Sequence, residues 1–141
     1  MKFSDFDRRA WETDGSYYDT CIIPYSGLQG TETPPETVAL LERQRDFLEL
    51  AEKPYKGRVV TYPAVQYAGP GMTALMNDLC RKVKSSGFQY AIVMSANEGL
   101  RREEVFESDL LLCLPEIASD SRASVSAHVR GEIQALWQNG K

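Results

Sequence analysis

Four short apolar segments rich in β-branched and aromatic residues alternate along this chain with segments of helical periodicity. That order of elements constrains the fold more than any other feature. The apolar segments are Tyr18-Asp19-Thr20-Cys21-Ile22-Ile23-Pro24, Arg58-Val59-Val60-Thr61-Tyr62, Phe88 to Ala96, and Asp109-Leu110-Leu111-Leu112-Cys113-Leu114-Pro115. Each is bounded by proline, glycine or a polar run, as strands are. The third and fourth are apolar at successive positions, so both of their faces are expected to be covered.

The intervening segments carry helix signals. Thr33-Pro34-Pro35-Glu36 places a capping threonine before a proline that has no amide to leave unpaired, with the glutamate of a capping box three residues on. Leu40, Leu41, Phe47, Leu48 and Ala51 then form one apolar stripe, ended by Pro54 and Gly57. Gly69-Pro70-Gly71 opens a second helix in which Met72, Leu75, Met76, Leu79, Cys80 and Val83 recur at helical spacing, with Gly87 as its stop. The charged stretch 97–108 predicts a short helix, and Val125, Val129, Ile133, Leu136 and Trp137 predict a last helix over 125–139. Strands alternating with helices in this way predict an α/β domain of three layers, with helices on both faces of a four-stranded parallel sheet. Right-handed crossovers favour the strand order 2-1-3-4, a Rossmann-like or flavodoxin-like arrangement. The whole chain, 1–141, reads as one domain, with residues 1–16 as an N-terminal arm. No strand follows the last helix, so the fourth strand is expected to be an apolar edge. The arm, with Phe3, Phe6 and Trp11, or a second copy in a homodimer would cover it.

Composition narrows the partners. A chain with 43% hydrophobic and 26% charged residues has the balance of a globular domain. Twenty acidic against 16 basic residues give a net charge of −4, and no run supplies the basic patch that a phosphate backbone requires, so nucleic acid is not an expected partner. The apolar runs are too short to span a membrane and the first 15 residues are charged throughout, so neither membrane insertion nor secretion is expected. Cys21, Cys80 and Cys113 lie far apart in apolar segments, without a CxxC pair. They read as buried thiols of a cytoplasmic protein. With His128 as the sole histidine, a structural zinc site lacks ligands.

Ligands of open α/β sheets gather beyond the carboxyl ends of the strands. Those positions hold Tyr25, Ser26, Gly27, Ser95, Asn97 and Glu116, which are the candidate ligand-binding residues, with Tyr67, Glu98, Asp120 and Ser121 in the same loops. Ser26-Gly27-Leu28-Gln29-Gly30 follows the first strand but lacks GxGxxG spacing, and several residues separate it from the helix. No dinucleotide cofactor is expected. No G-x-S-x-G elbow is present either. His128 precedes Glu132 by one helical turn, and Glu132 borders the apolar stripe of the last helix. A carboxylate in such a place can have a raised pKa suited to acid–base or nucleophilic work. The plainer reading is a stripe-edge glutamate whose head reaches water or pairs with His128 or Arg130.

Two resemblances add to this. Tyr18-Asp19-Thr20 with Ile23-Pro24, Gly57-Arg58-Val59, Ser108 to Pro115, and Gly131-Glu132-Ile133 with Leu136-Trp137 resemble the YpiF-like family, an uncharacterised set of small proteins from Bacillus-type bacteria. That resemblance implies no activity. Asp109 to Pro115, the serine loop, Glu132-Ile133 and Gly140-Lys141 are similar to the C-terminal part of nucleoside 2-deoxyribosyltransferases. By that resemblance Glu132 would be the nucleophile at the anomeric carbon, with Tyr25 near the same pocket. The Asp-Ser-Gly-Thr of that family is not reproduced: Asp120-Ser121 continues as Arg-Ala-Ser.

The sequence thus describes a non-catalytic or weakly specialised Rossmann-like domain that binds a small molecule, such as a nucleoside or nucleotide, or a protein partner at the C-terminal edge of its sheet. The alternatives are an N-glycosyl transferase or hydrolase acting through Glu132, with His128 beside it, and a structural subunit that dimerises through its fourth strand.

Overall fold

The computed structural model describes residues 1–97, 99–117 and 121–140. After a short N-terminal helix, α1 (Arg8–Asp14), the chain alternates: β1 (Thr20–Leu28), α2 (Pro34–Glu52), β2 (Val59–Thr61), β3 (Val65–Tyr67), α3 (Met72–Ser85), β4 (Tyr90–Ser95), β5 (Leu110–Cys113) and α4 (Arg122–Asn139). All pairings are parallel. The α/β class and the helix-flanked parallel sheet are therefore as expected. The sheet has five strands rather than four, however: a short strand that the sequence did not announce is added to it. The sheet runs β2-β1-β4-β5, with β3 as a further neighbour of β1.

The extra strand and an unexpectedly long β1 have one cause. Pro24 was expected to stop the first strand, yet β1 continues through it to Leu28. The Tyr62 amide donates to the Ile22 carbonyl at 2.9 Å, so the even-numbered residues of β1 point their backbone groups toward β2. Pro24 shares that parity, and its missing N–H faces the gap between β2 and β3, where Pro63 interrupts the neighbouring strand. Pro24 thus leaves no donor unmet where β2 gives way to β3. Pairing then resumes at Tyr25↔Val65.

The α2 start is as the sequence predicts: the Thr33 amide donates to Glu36 Oε1 at 2.8 Å, and the Glu36 amide returns to Thr33 Oγ1 at 3.4 Å. Alternate β1 residues feed two cores. Ile22 joins Ile92, Met94 and Leu112 under α2 (Phe47, Leu48, Ala51) and α4 (Val125, Val129, Ile133). Cys21, Ile23 and Tyr25 join Val60 and Val93 under α3 (Met76, Cys80, Val83). No helix among the described residues is long and apolar enough to cross a membrane.

Three further expectations are corrected. The stretch 99–108 forms turns, not a helix. Asn77 of α3 donates to the Glu104 carbonyl and accepts from the Glu107 amide, and Lys84 donates to the Glu107 carbonyl, so side chains satisfy backbone groups that a helix would otherwise pair. The last helix begins at Arg122 rather than Val125, capped by Ser121 Oγ on the Ser124 amide at 3.0 Å. The N-terminal arm covers β2, at the opposite edge from the one expected. The Thr61 amide donates to the Met1 carbonyl at 2.8 Å, and Lys2 pairs with Thr61 as a parallel bridge. Lys2 Nζ reaches the buried Glu52 carboxylate at 2.7 Å, which also accepts from the Thr61 hydroxyl. The outer side of β5 has no strand partner among the described residues.

Candidate functional site

The C-terminal edge is built where β4 ends beside β1, which runs on to Leu28, with α2 rising on one face. Tyr25, Ser26 and Gly27 were expected in a loop beyond the first strand, but they lie within β1 and are buried. The Ser26 hydroxyl donates to Gln66 Oε1 of β3 at 2.7 Å, so it ties the extra strand to β1. Tyr67, also expected in a loop, is the exposed last residue of β3. Ser95 is the buried last residue of β4. Asn97 donates to the Leu40 carbonyl at 2.9 Å. Its Oδ1 is buried and has no hydrogen-bond partner among the described residues. Glu116 is exposed in a 3-10 turn and reaches toward Gly99. Glu98 and Asp120 lie outside the described residues.

Gln44 holds this edge together. Its Nε2 donates to the Met94 carbonyl at 3.0 Å and its Oε1 accepts from the Ala96 amide at 2.7 Å. The side chain is buried, as are both partners. The amide thus completes the end of β4 as another strand would. The sequence reading passed over Gln44, although a signal was present: it lies four residues after Leu40 and three before Phe47, a polar residue inside an apolar stripe. Beyond β1, the Glu32 carboxylate accepts from the Gln29 amide at 2.8 Å and the Gly30 amide at 2.9 Å. Chiefly the Gln29 amide holds its pKa below the usual glutamate value. Burial raises the pKa of the Cys113 thiol, opposed by the Leu100 amide that donates to its sulfur.

Glu132 and His128 sit at exposed positions of α4, and no hydrogen bond or ion pair joins them to each other among the described residues. The stripe they border, Val125, Val129 and Ile133, is buried as expected. The structure does not bring either residue to the strand ends that hold Ser95 and Asn97.

A concavity lies between α2 and α4. Ala39, Glu42, Arg43, Asp46, Phe47 and Leu50 line a groove of about 420 Å³, together with Leu114, Arg122 and Val125. The α2 positions fall at i, i+3, i+4, i+7, i+8 and i+11, one continuous helical face. Its character changes along the groove. The α2 turns nearer the C-terminal edge contribute Glu42 and Arg43, and the deeper turns contribute Phe47 and Leu50. Arg122, in the first turn of α4, joins the polar part, while Val125 and Leu114 join the apolar floor. Asp46 is paired with Arg45 at 3.1 Å. Arg43 and Arg122 make no ion pair or side-chain hydrogen bond among the described residues. Sequence reading missed this groove because its walls come from one helix face and from residues about 80 positions downstream.

Neither a curated protein nor a solved structure matches the chain. A family model does, that of proteins of unknown function designated DUF2487, and it spans residues 9–135, the whole sheet and all but the last turn of α4; the chain belongs to that family.

Proposed function

We propose that this protein is a binding domain of Rossmann-like build that holds a small molecule in the groove between α2 and α4, at the C-terminal edge of its sheet. The observation that carries this reading is the groove itself: about 420 Å³ with a floor of Phe47, Leu50, Leu114 and Val125. That volume is within the range of small-molecule sites, which combine an apolar lining with a few polar groups at one end. Its position agrees with the tendency of open α/β sheets to bind at the carboxyl ends of their strands. Gln44 and Asn97 support it by fixing α2 to the end of β4, so the α2 wall does not depend on a mobile loop.

A thermal-shift screen of small amphipathic molecules tests the reading. A ligand at 100 times its Kd stabilises by roughly 2.7 kcal/mol, which raises Tm by roughly 5–10 °C in a domain of this size. Ala39→Trp, at an exposed position of the groove wall, should abolish the shift while leaving the Tm of the free protein unchanged. A flat screen, or hits whose amide chemical-shift changes map away from α2 and α4, would refute the small-molecule reading and favour a protein partner at the same edge.

A further inference from the structure

Resting on that reading of the groove, we propose that its ligand is an organic monoanion: a carboxylate head held by Arg43 and Arg122, and an apolar chain lying over Phe47, Leu50 and Val125.

The argument is one of charge complementarity. Four charged side chains line the groove: Glu42, Arg43, Asp46 and Arg122. Asp46 already has a cation, Arg45, at 3.1 Å. The remaining three carry one net positive charge, and both arginines are without a partner among the described residues. The first turn of α4 adds to this. Ser121 Oγ takes the Ser124 amide, but the amides of Arg122 and Ala123 are first-turn donors that no intrahelical carbonyl can reach, at the positive end of the helix dipole. An arginine fork accepts a carboxylate in a planar bidentate pairing. Glu42 sets the upper limit on charge. A phosphate monoester carries about −1.5 to −2 near neutral pH, more than the local excess compensates, and it would be repelled by the Glu42 carboxylate. A monoanion matches the balance. The polarity gradient fixes its orientation: the head lies toward the C-terminal edge, where Glu42, Arg43 and Arg122 lie, and the chain runs along the deeper turns of α2.

Four probes with one tail isolate the head group: octanoate, 1-octanol, octylammonium and octyl phosphate. Each is titrated into the ¹⁵N-labelled full chain near neutral pH, and the amide shifts of Leu50, Leu114 and Val125 are followed. Octanoate should bind about tenfold tighter than 1-octanol, the equivalent of one charge-assisted hydrogen bond, and tighter than octyl phosphate; octylammonium should bind weakest. Arg43→Gln and Arg122→Gln should each weaken octanoate about fivefold or more and leave 1-octanol within about twofold, which separates loss of the head contact from damage to the groove. If 1-octanol binds the groove as tightly as octanoate, the anionic head is overturned while the groove reading survives. If octyl phosphate binds tightest, the carboxylate assignment is overturned in favour of a phosphate ester. If octylammonium binds tightest, the charge argument has the wrong sign. If none of the four moves the groove amides at millimolar concentration, both this inference and the groove reading fall.

Discussion

Gln44 makes the sharpest claim about how the C-terminal edge is held, and Gln44→Leu tests it. The substitution keeps the shape of the side chain and removes both hydrogen bonds. The Ala96 amide has a single proton, which Gln44 Oε1 accepts at 2.7 Å. Buried and unpaired, that donor costs about 1–3 kcal/mol. The Met94 carbonyl has two lone pairs, so the loss of the 3.0 Å contact from Nε2 costs less, about 0.5–1.5 kcal/mol. Extra apolar burial by leucine offsets about 1 kcal/mol. The net expectation is a destabilisation of about 2 kcal/mol, which lowers Tm by roughly 4–8 °C. Gln44→Glu distinguishes lost hydrogen bonds from lost packing. As a carboxylate it still accepts from the Ala96 amide, but it is buried and faces the Met94 carbonyl. Burial and that carbonyl both disfavour the charged form, so the introduced carboxyl has a raised folded-state pKa. A raised pKa contributes stability that is fully present below the unfolded value and is lost as pH rises through the folded one. The deficit of Gln44→Glu relative to the parent should therefore be smallest near pH 4 and grow toward neutral pH, whereas that of Gln44→Leu should not vary with pH. Urea unfolding of the three proteins from about pH 4 to pH 8 measures both, with a constant m-value required for the comparison. Amide exchange at Ala96 should accelerate in Gln44→Leu more than exchange in the middle of β4. A Gln44→Leu cost below about 0.5 kcal/mol, or a Gln44→Glu cost independent of pH, would refute the claim that this amide completes the sheet.

At the other end of the sheet, Arg58 pairs with both oxygens of Asp19, at 2.9 and 3.1 Å, and lies 3.8 Å from the ring centroid of Trp137. The pair is partly exposed, so Arg58→Lys is expected to cost only about 1 kcal/mol, and a double-mutant cycle with Trp137→Phe should return a coupling of about 0.5–1 kcal/mol. Trp137→Phe itself removes the indole donor that reaches the Thr20 hydroxyl at 2.9 Å, a further loss of about 1 kcal/mol measurable by urea unfolding. Burial pushes the Cys80 thiol up to about 11 and also raises the thiol pKa values of Cys21 and Cys113. At pH 8 roughly one Cys80 in a thousand is a thiolate, so the native chain should resist a disulfide reagent, and all three cysteines should react once it is unfolded. The Glu32 pKa is lowered, chiefly by the Gln29 amide. Its contribution is therefore present above the unfolded pKa and lost as pH falls through the folded one. The stability difference between the parent and Glu32→Gln should shrink from neutral pH to about pH 3, as read from urea midpoints.

What was legible in the sequence follows from which signals are local. The α2 start was readable because Thr33, Pro34 and Glu36 act on one another within a single turn. The apolar stripes of α3 and α4 were readable because periodicity needs no knowledge of the partner. Pro24 was misread because its usual meaning depends on a neighbour. Proline stops a strand only where its absent N–H would have been used, and here the strand beside it is itself interrupted at Pro63. The three-residue β3 has too few positions to display a period of two, and its pairing depends on that same break. The N-terminal arm was placed at the wrong edge for a similar reason: Phe3, Phe6 and Trp11 declared that it packs somewhere, but Glu52, which binds both Lys2 and Thr61, decides where.

The candidate site divides along the same line. Fold rules located the edge at which Ser95 and Asn97 lie, but they treated residues at the strand ends as free to meet a ligand. In the folded chain Ser26 is bonded to Gln66 and Asn97 to the Leu40 carbonyl, so much of that polarity is spent closing the sheet. Among the described residues, Arg43 on the α2 face and Arg122 at the start of α4 are without partners, and both lie one layer out. Arg43 belongs to the charged stretch 42–46 and Arg122 to a serine-rich one, and each reads, residue by residue, as ordinary solvated surface. They come to line one groove only because β5 delivers α4 alongside α2, which places Arg122 and Val125 opposite a helix that precedes them by about 80 residues. A polar residue inside an apolar stripe, such as Gln44, is therefore the better local marker of an edge that must be completed. Unpaired charge beside an apolar groove becomes recognisable only after the helices have been placed.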